Sequence, residues 1–178
     1  MGRVTNVVLI LIAAGLSLWS FNSGAVGGVS LPEHAGSSDQ NLAIVVNLAN
    51  SVSDLSKVEL RTIFLGQRSY WPNGRRITIV MLEVGHPERK ALLQEVCQMT
   101  EKDYNNRILH GLFTGELFVS PKTLASPTGV RKFVFNVPGA IGYVRRSDLD
   151  DTVKVLRIEG KLPDDPEYPL HVDLRGVK

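Results

Sequence analysis

Cysteine is nearly absent from this chain. Cys97 is the one thiol among 178 residues, so no intramolecular disulfide is available and stability must come from a packed core. Its helical setting beside Val96 predicts a buried, inert thiol. No cysteine stands directly after the N-terminal apolar run, which excludes lipid attachment at a mature N-terminal cysteine. An excess of one charge is also missing. Lys and Arg number 20 against 18 Asp and Glu, a formal net charge of +2, and the two signs are interspersed. Nucleic-acid binding needs a concentrated basic face, so no nucleic acid is expected as a partner. Small basic groups occur at Arg68, Arg75 and Arg76 and at Arg145 and Arg146. Each reads as solvated surface, with an anion contact as the alternative.

The usual signatures of catalysis are missing too. There is no Gly-x-Ser-x-Gly elbow to expose a nucleophile. His34, His86, His110 and His171 are scattered, without the close spacing of a zinc site. No glycine-rich loop precedes a phosphate-binding lysine, and no dinucleotide fingerprint occurs. These absences predict no cofactor, no metal and no enzyme. A hydrolase assembled from distant residues is the weakest of the readings. No internal repeat or low-complexity block is present.

What is present begins at the N-terminus. Arg3 precedes an unbroken apolar run from Val7 to Ile12, continued by small and apolar residues to Phe21. Ser23 and Ala25 suit the −3 and −1 positions of a cleavage after Ala25. Residues 1–25 therefore read as a secretory signal peptide, with a membrane anchor as the alternative if cleavage does not occur. Residues 26–40, rich in Gly and Ser, read as a flexible linker. A single domain is expected over 41–160, followed by an irregular tail over 161–178 that carries three prolines.

Within the domain, apolar β-branched runs predict strands at Leu42–Asn47, Ile77–Leu82, Ala140–Val144 and Val153–Ile158. Four helices are expected between them. The first starts at Ser56, with Glu59 at capping-box spacing, an apolar face of Val58, Leu60, Ile63, Phe64 and Leu65, and Gly66 as a left-handed stop. The second starts at Pro87, where a missing N–H costs nothing, and carries Ala91, Leu92, Val96 and Met99. The third starts at Thr100 with Asp103, and runs through Tyr104, Ile108 and Leu109 to about Phe113. The fourth covers Thr128–Val137, after a loop at Ser120–Ser126. Trp71 and Tyr143 are expected to pack rather than stack on a ligand. Strands alternating with helices make the fold class α/β with a parallel or mixed sheet.

One local pattern suits ligand binding. A strand ends at Leu82, Gly85-His86 follow, and a helix begins at Pro87. Unpaired N–H groups and the helix dipole favour an anion there, and glycine lets a ligand come close to the backbone. Gly85, His86 and Pro87 are therefore the candidate ligand-binding residues, with Arg89 as added charge. The competing structural reading has His86 as a simple cap and Arg89 as solvated.

Three segments also carry a family resemblance. Ile63-Phe64-Leu65-Gly66 with Trp71, then Leu112-Phe113-Thr114-Gly115, then Pro138-Gly139-Ala140-Ile141-Gly142-Tyr143-Val144 occur in this order. Together they resemble the phosphate-type substrate-binding proteins of ABC importers over roughly Leu42–Leu156. The resemblance implies a type 2 periplasmic-binding fold, here a single α/β lobe with a mixed sheet flanked by helices. It implies non-catalytic binding of phosphate or another small oxyanion, an ABC transporter or other envelope protein as partner, and a periplasmic or otherwise exported location. Two departures accompany it. The segment that would build most of the first lobe is replaced by the export signal and linker. The family's ligand-loop Arg and Ser positions correspond to Leu82 and His86. The alternative is an interaction or accessory module of the cell envelope, including self-association, that kept the fold and lost the ligand.

Overall fold

The computed structural model describes residues 38–173; the expected signal peptide and most of the expected linker lie outside them. Seven short strands and four α-helices are present among these residues: β1 (Leu42–Val46), β2 (Asp54–Leu55), α1 (Lys57–Phe64), β3 (Thr78–Leu82), α2 (Pro87–Leu92), α3 (Glu101–Thr114), β4 (Lys122–Leu124), α4 (Pro127–Asn136), β5 (Ala140–Arg145), β6 (Lys154–Val155) and β7 (Arg157–Ile158). The main sheet has the order β4-β3-β5-β1-β6, and β2 pairs with β7 in a second, two-stranded sheet. Strands β3, β4 and β5 are mutually parallel, whereas β1 runs antiparallel to β5 and β6. The sheet is therefore mixed and flanked by helices, as the sequence predicts.

Strand β1, fully buried, and β5, buried except at Arg145, form the centre. Both faces of β5 are covered. On one face Gly142 leaves room for α4, since a Cβ there would stand 2.7 Å from Val130 Cγ1. On the other, Tyr143 meets Phe64 of α1 edge-on at 6.0 Å. A strand covered on both sides must be apolar throughout, which is why Ala140–Val144 shows no polar alternation.

The helix starts follow their capping residues. Ser56 accepts from Glu59 N and Glu59 returns a bond to Ser56 N, a complete capping box. Thr100 accepts from Asp103 N at the head of α3, and Ser126 from Gly129 N at the head of α4. Gly66 and Gly115, at φ +73° and +77°, end α1 and α3 in the left-handed region. After Leu92 the second helix widens into a π-helical turn, Leu93–Cys97, and stops at left-handed Gln98.

The structure corrects several expectations. Val58 is 71% exposed, so it does not belong to the core face of its helix. The segment read as loop at Ser120–Ser126 contains β4, an edge strand parallel to β3. Val153–Ile158 is two strands: the chain turns at buried Leu156, leaving β1 and joining β2. The tail is irregular in path, yet Tyr168, Leu170 and Val172 are buried in the main core. Tyr168 donates its hydroxyl to Leu42 O at 2.9 Å, and Leu42 N donates to Leu170 O. The lead-in forms a 3₁₀ turn at Ser38–Gln40.

Trp71 is buried, and its indole N–H donates to Gly139 O at 3.0 Å. The same carbonyl accepts from Thr78 N at 3.0 Å. Gly139 fits because a Cβ there would stand 2.1 Å from the Arg76 carbonyl oxygen. Gly139→Ala is therefore expected to cost about 2–3 kcal/mol through forced backbone displacement, measured by urea unfolding.

Burial also holds protons on the core. It raises the Cys97 thiol from its ordinary 9.0 to about 12 and raises the phenols of Tyr104, Tyr143 and Tyr168 above 10.0. The unfolded chain gives up these protons at lower pH than the folded one. The stabilising contribution is thus complete below about pH 9 and is lost as pH rises further. The melting temperature should fall steadily above that point, with phenolate absorbance from these tyrosines appearing only as the protein unfolds.

Candidate functional site

The parallel strands β3, β4 and β5 bring their carboxyl ends to one edge of the sheet. In open α/β sheets that edge is where ligands bind. Here it carries the Glu83–His86 turn after β3, Ser126 and the start of α4 after β4, and Arg145 at the end of β5.

The turn after β3 takes the form that its residues predict. Gly85 adopts φ +101°, a region that glycine enters without strain. His86 is the N-terminal flanking residue of α2, Pro87 occupies its first turn, and His86 O accepts from Lys90 N at 3.1 Å. The His86 side chain makes no capping bond. The simple capping role is thereby removed, and the first-turn N–H groups receive no cap from it.

Gly85, His86 and Pro87 line a concave region of about 860 Å³ that continues along Lys90, Gln94 and Thr100. Its wall also carries Glu95, Glu101, Asp103 and Asp173. Glu101 is bound by Arg89, and Glu95 lies 3.9 Å from Lys57 Nζ. Among the described residues no group of His, Cys, Asp and Glu is arranged to hold a metal ion, and no helix is long and apolar enough to cross a membrane.

Arg89 is not placed as the sequence suggested. Its side chain is 6% exposed and does not line the concavity. Nε donates to both Glu101 oxygens at 3.1 and 2.9 Å, Nη2 to Glu101 Oε1 at 2.6 Å, and Nη1 to Leu82 O at 2.7 Å. The guanidinium also lies over the Tyr104 ring, 6.0 Å from its centroid. Arg89 thus fastens α3 to the end of β3 and has little left to offer a ligand.

Two charged residues at this edge were not paired by sequence reasoning. Glu88, 3% exposed, accepts from Arg145 Nε through Oε1. Its Oε2 lies 3.7 Å from His86 Nδ1. Arg145 stood out only as half of a basic pair, and 57 residues separate it from Glu88. Cys97 is buried, as expected, in the π-helical turn.

Comparisons with known proteins agree with this architecture. No family model matches the chain. It is 31% identical over 137 residues to the phosphate-binding protein PstS of Bacillus subtilis (strain 168), covering 72% of this chain and 41% of that protein. The fold matches an ABC-type phosphate transport receptor from Vibrio cholerae, with TM-score 0.57, 22% identity, and 76% and 58% of the two chains covered. It also matches PstS from Borrelia burgdorferi, with TM-score 0.59, 11% identity, and 75% and 55% covered. The chain spans less than half the length of the curated relative. It is related to the phosphate ABC transporter substrate-binding proteins through about seven tenths of its own length.

If Arg89 is a fastening rather than a ligand group, its loss acts on stability. Removing one partner of a buried pair costs about 3–5 kcal/mol. Arg89→Ala is expected to fall near the lower end, because Glu101 is partly solvated. Arg89→Lys should recover only part, since it cannot supply the fork. Chemical denaturation of both variants checks this.

Proposed function

We propose that this chain, a relative of the phosphate ABC transporter substrate-binding proteins, works as an exported solute-binding domain. It acts by reversible binding, without catalysis, on phosphate or another small oxyanion. Its protein partner on this reading is an ABC transporter of the same envelope. Export rests on the N-terminal pattern ending at Ala25, which lies outside the described residues. N-terminal sequencing of the protein recovered from the cell envelope distinguishes a cleaved signal from a retained anchor.

One observation carries the binding site. The chain leaves β3, turns through Gly85 at positive φ and enters α2 at Pro87, beside a concave region. Backbone N–H groups of the first turn and the His86 ring are the donors offered to the ligand. An oxyanion fits because it accepts several hydrogen bonds at once and gains from charge assistance. The carboxylates of the same wall oppose it, so affinity at this edge is modest and falls as salt screens the donors.

Calorimetric titration of the purified protein with phosphate and with sulfate at low ionic strength tests the proposal. Micromolar binding is expected, weakened about tenfold by His86→Ala through loss of one charge-assisted bond. A folded protein that gives no heat with either anion would sink the anion reading. Unchanged affinity in His86→Ala would remove His86 from the site.

A further inference from the structure

The binding account leaves Glu88 unexplained. A buried carboxylate normally has every oxygen hydrogen-bonded, because an orphaned one loses its water without return. Glu88 satisfies only half of that rule. Oε1 is held by Arg145 Nε, while Oε2 is shielded from solvent and has no hydrogen-bond partner among the described residues. His86 Nδ1 lies 3.7 Å from it, beyond hydrogen-bond reach.

Arg145 is equally under-used. Its side chain is 24% exposed, and among the described residues only Nε makes a hydrogen bond. The two terminal nitrogens, which form the fork suited to a carboxylate or phosphate, make none among those residues. The arrangement is thus a negative group set between two groups that suit an anion. His86, which lines the concavity, is on one side, and the guanidinium from β5 is on the other.

We infer that Glu88 is a built-in stand-in for the ligand: its carboxylate fills an oxyanion slot between His86 and Arg145, and an external oxyanion enters by displacing it. The inference rests on the reading proposed above, that this edge takes a small oxyanion. Two anions cannot share the slot, since like charges at contact distance oppose each other's ionised form. Entry therefore requires Glu88 to swing out, after which Arg145 passes from the carboxylate to the ligand. The cost of that exchange lowers apparent affinity and makes Glu88 the residue that sets it. The half-satisfied state of Glu88 is what makes the exchange accessible, because only one strong bond holds it.

The test is a titration of the full chain with inorganic phosphate at low ionic strength, comparing wild type, Glu88→Gln, and Glu88→Gln with Arg145→Gln. Glutamine keeps the size and removes the competing charge. Tighter binding by tenfold or more in the single variant, lost again in the double variant, is the expected result. A folded wild type that does not bind phosphate removes the oxyanion reading, and the inference with it. Should the wild type bind and Glu88→Gln bind no more tightly, the inference is overturned while the oxyanion reading stands. If the Glu88→Gln chain does not fold, the wild type still decides. The Arg145 Nε–H resonance, assigned by its absence in Arg145→Lys, should move on saturation with phosphate. A resonance unmoved while phosphate binds overturns the displacement.

Discussion

The carbonyl of Gly139 is the point on which the lobe is assembled. It accepts one hydrogen bond from the Trp71 indole and one from the Thr78 backbone, so the turn before β3 and the turn before β5 meet at a single oxygen. The parallel register of the two strands follows at once, with Thr78 opposite Ala140 and Ile79 opposite Ile141. Every residue proposed for binding sits at the far ends of these strands. A shift of register at Gly139 would move the Gly85–His86 turn relative to Arg145. The absence of a Cβ at Gly139 lets the Arg76 carbonyl approach closely enough for the arrangement to close.

Three buried hydroxyls extend the same logic. Tyr104 donates to Phe64 O and ties α3 to α1, and Tyr168 donates to Leu42 O and ties the tail to β1. Tyr143 accepts from Leu82 N just where the β3 ladder ends. Each phenol buries a large apolar ring and satisfies a backbone group that would otherwise be orphaned. The Arg89 fork works alongside them by closing on Leu82 O. Polar groups in this core therefore fix where elements end, while the aliphatic side chains supply most of the burial.

Legibility in the sequence tracked the range of the interaction. The starts of α1 and α3 were readable because Ser56 with Glu59 and Thr100 with Asp103 act across three residues. The buried strands β1, β3 and β5 were readable because they are apolar on both faces. Strand β4 was not: Lys122 and Thr123 are exposed on a sheet edge, so no burial pattern marks them. The tail hid its role because Tyr168, Leu170 and Val172 find partners more than a hundred residues earlier in the chain, such as Leu42. At the site, the Gly85-His86-Pro87 turn was visible as local chemistry. The fates of Arg89 and Arg145 were not, since each is decided by a carboxylate that the fold brings from elsewhere.

That difference bears on how charge at the edge should be understood. A charged side chain near a concavity is counted as a ligand group by sequence reasoning, but its availability depends on what already holds it. Arg89 has its fork closed by Glu101 and a carbonyl, leaving little to exchange. Arg145 is held at Nε alone and is partly solvated, so its fork remains uncommitted among the described residues. Competition between carboxylate and ligand for a guanidinium is a difference between two similar bonds, and the net is small compared with either. On the proposed reading, the anion affinity of this edge is governed less by how many cations stand there than by how firmly Glu88 keeps the one that matters.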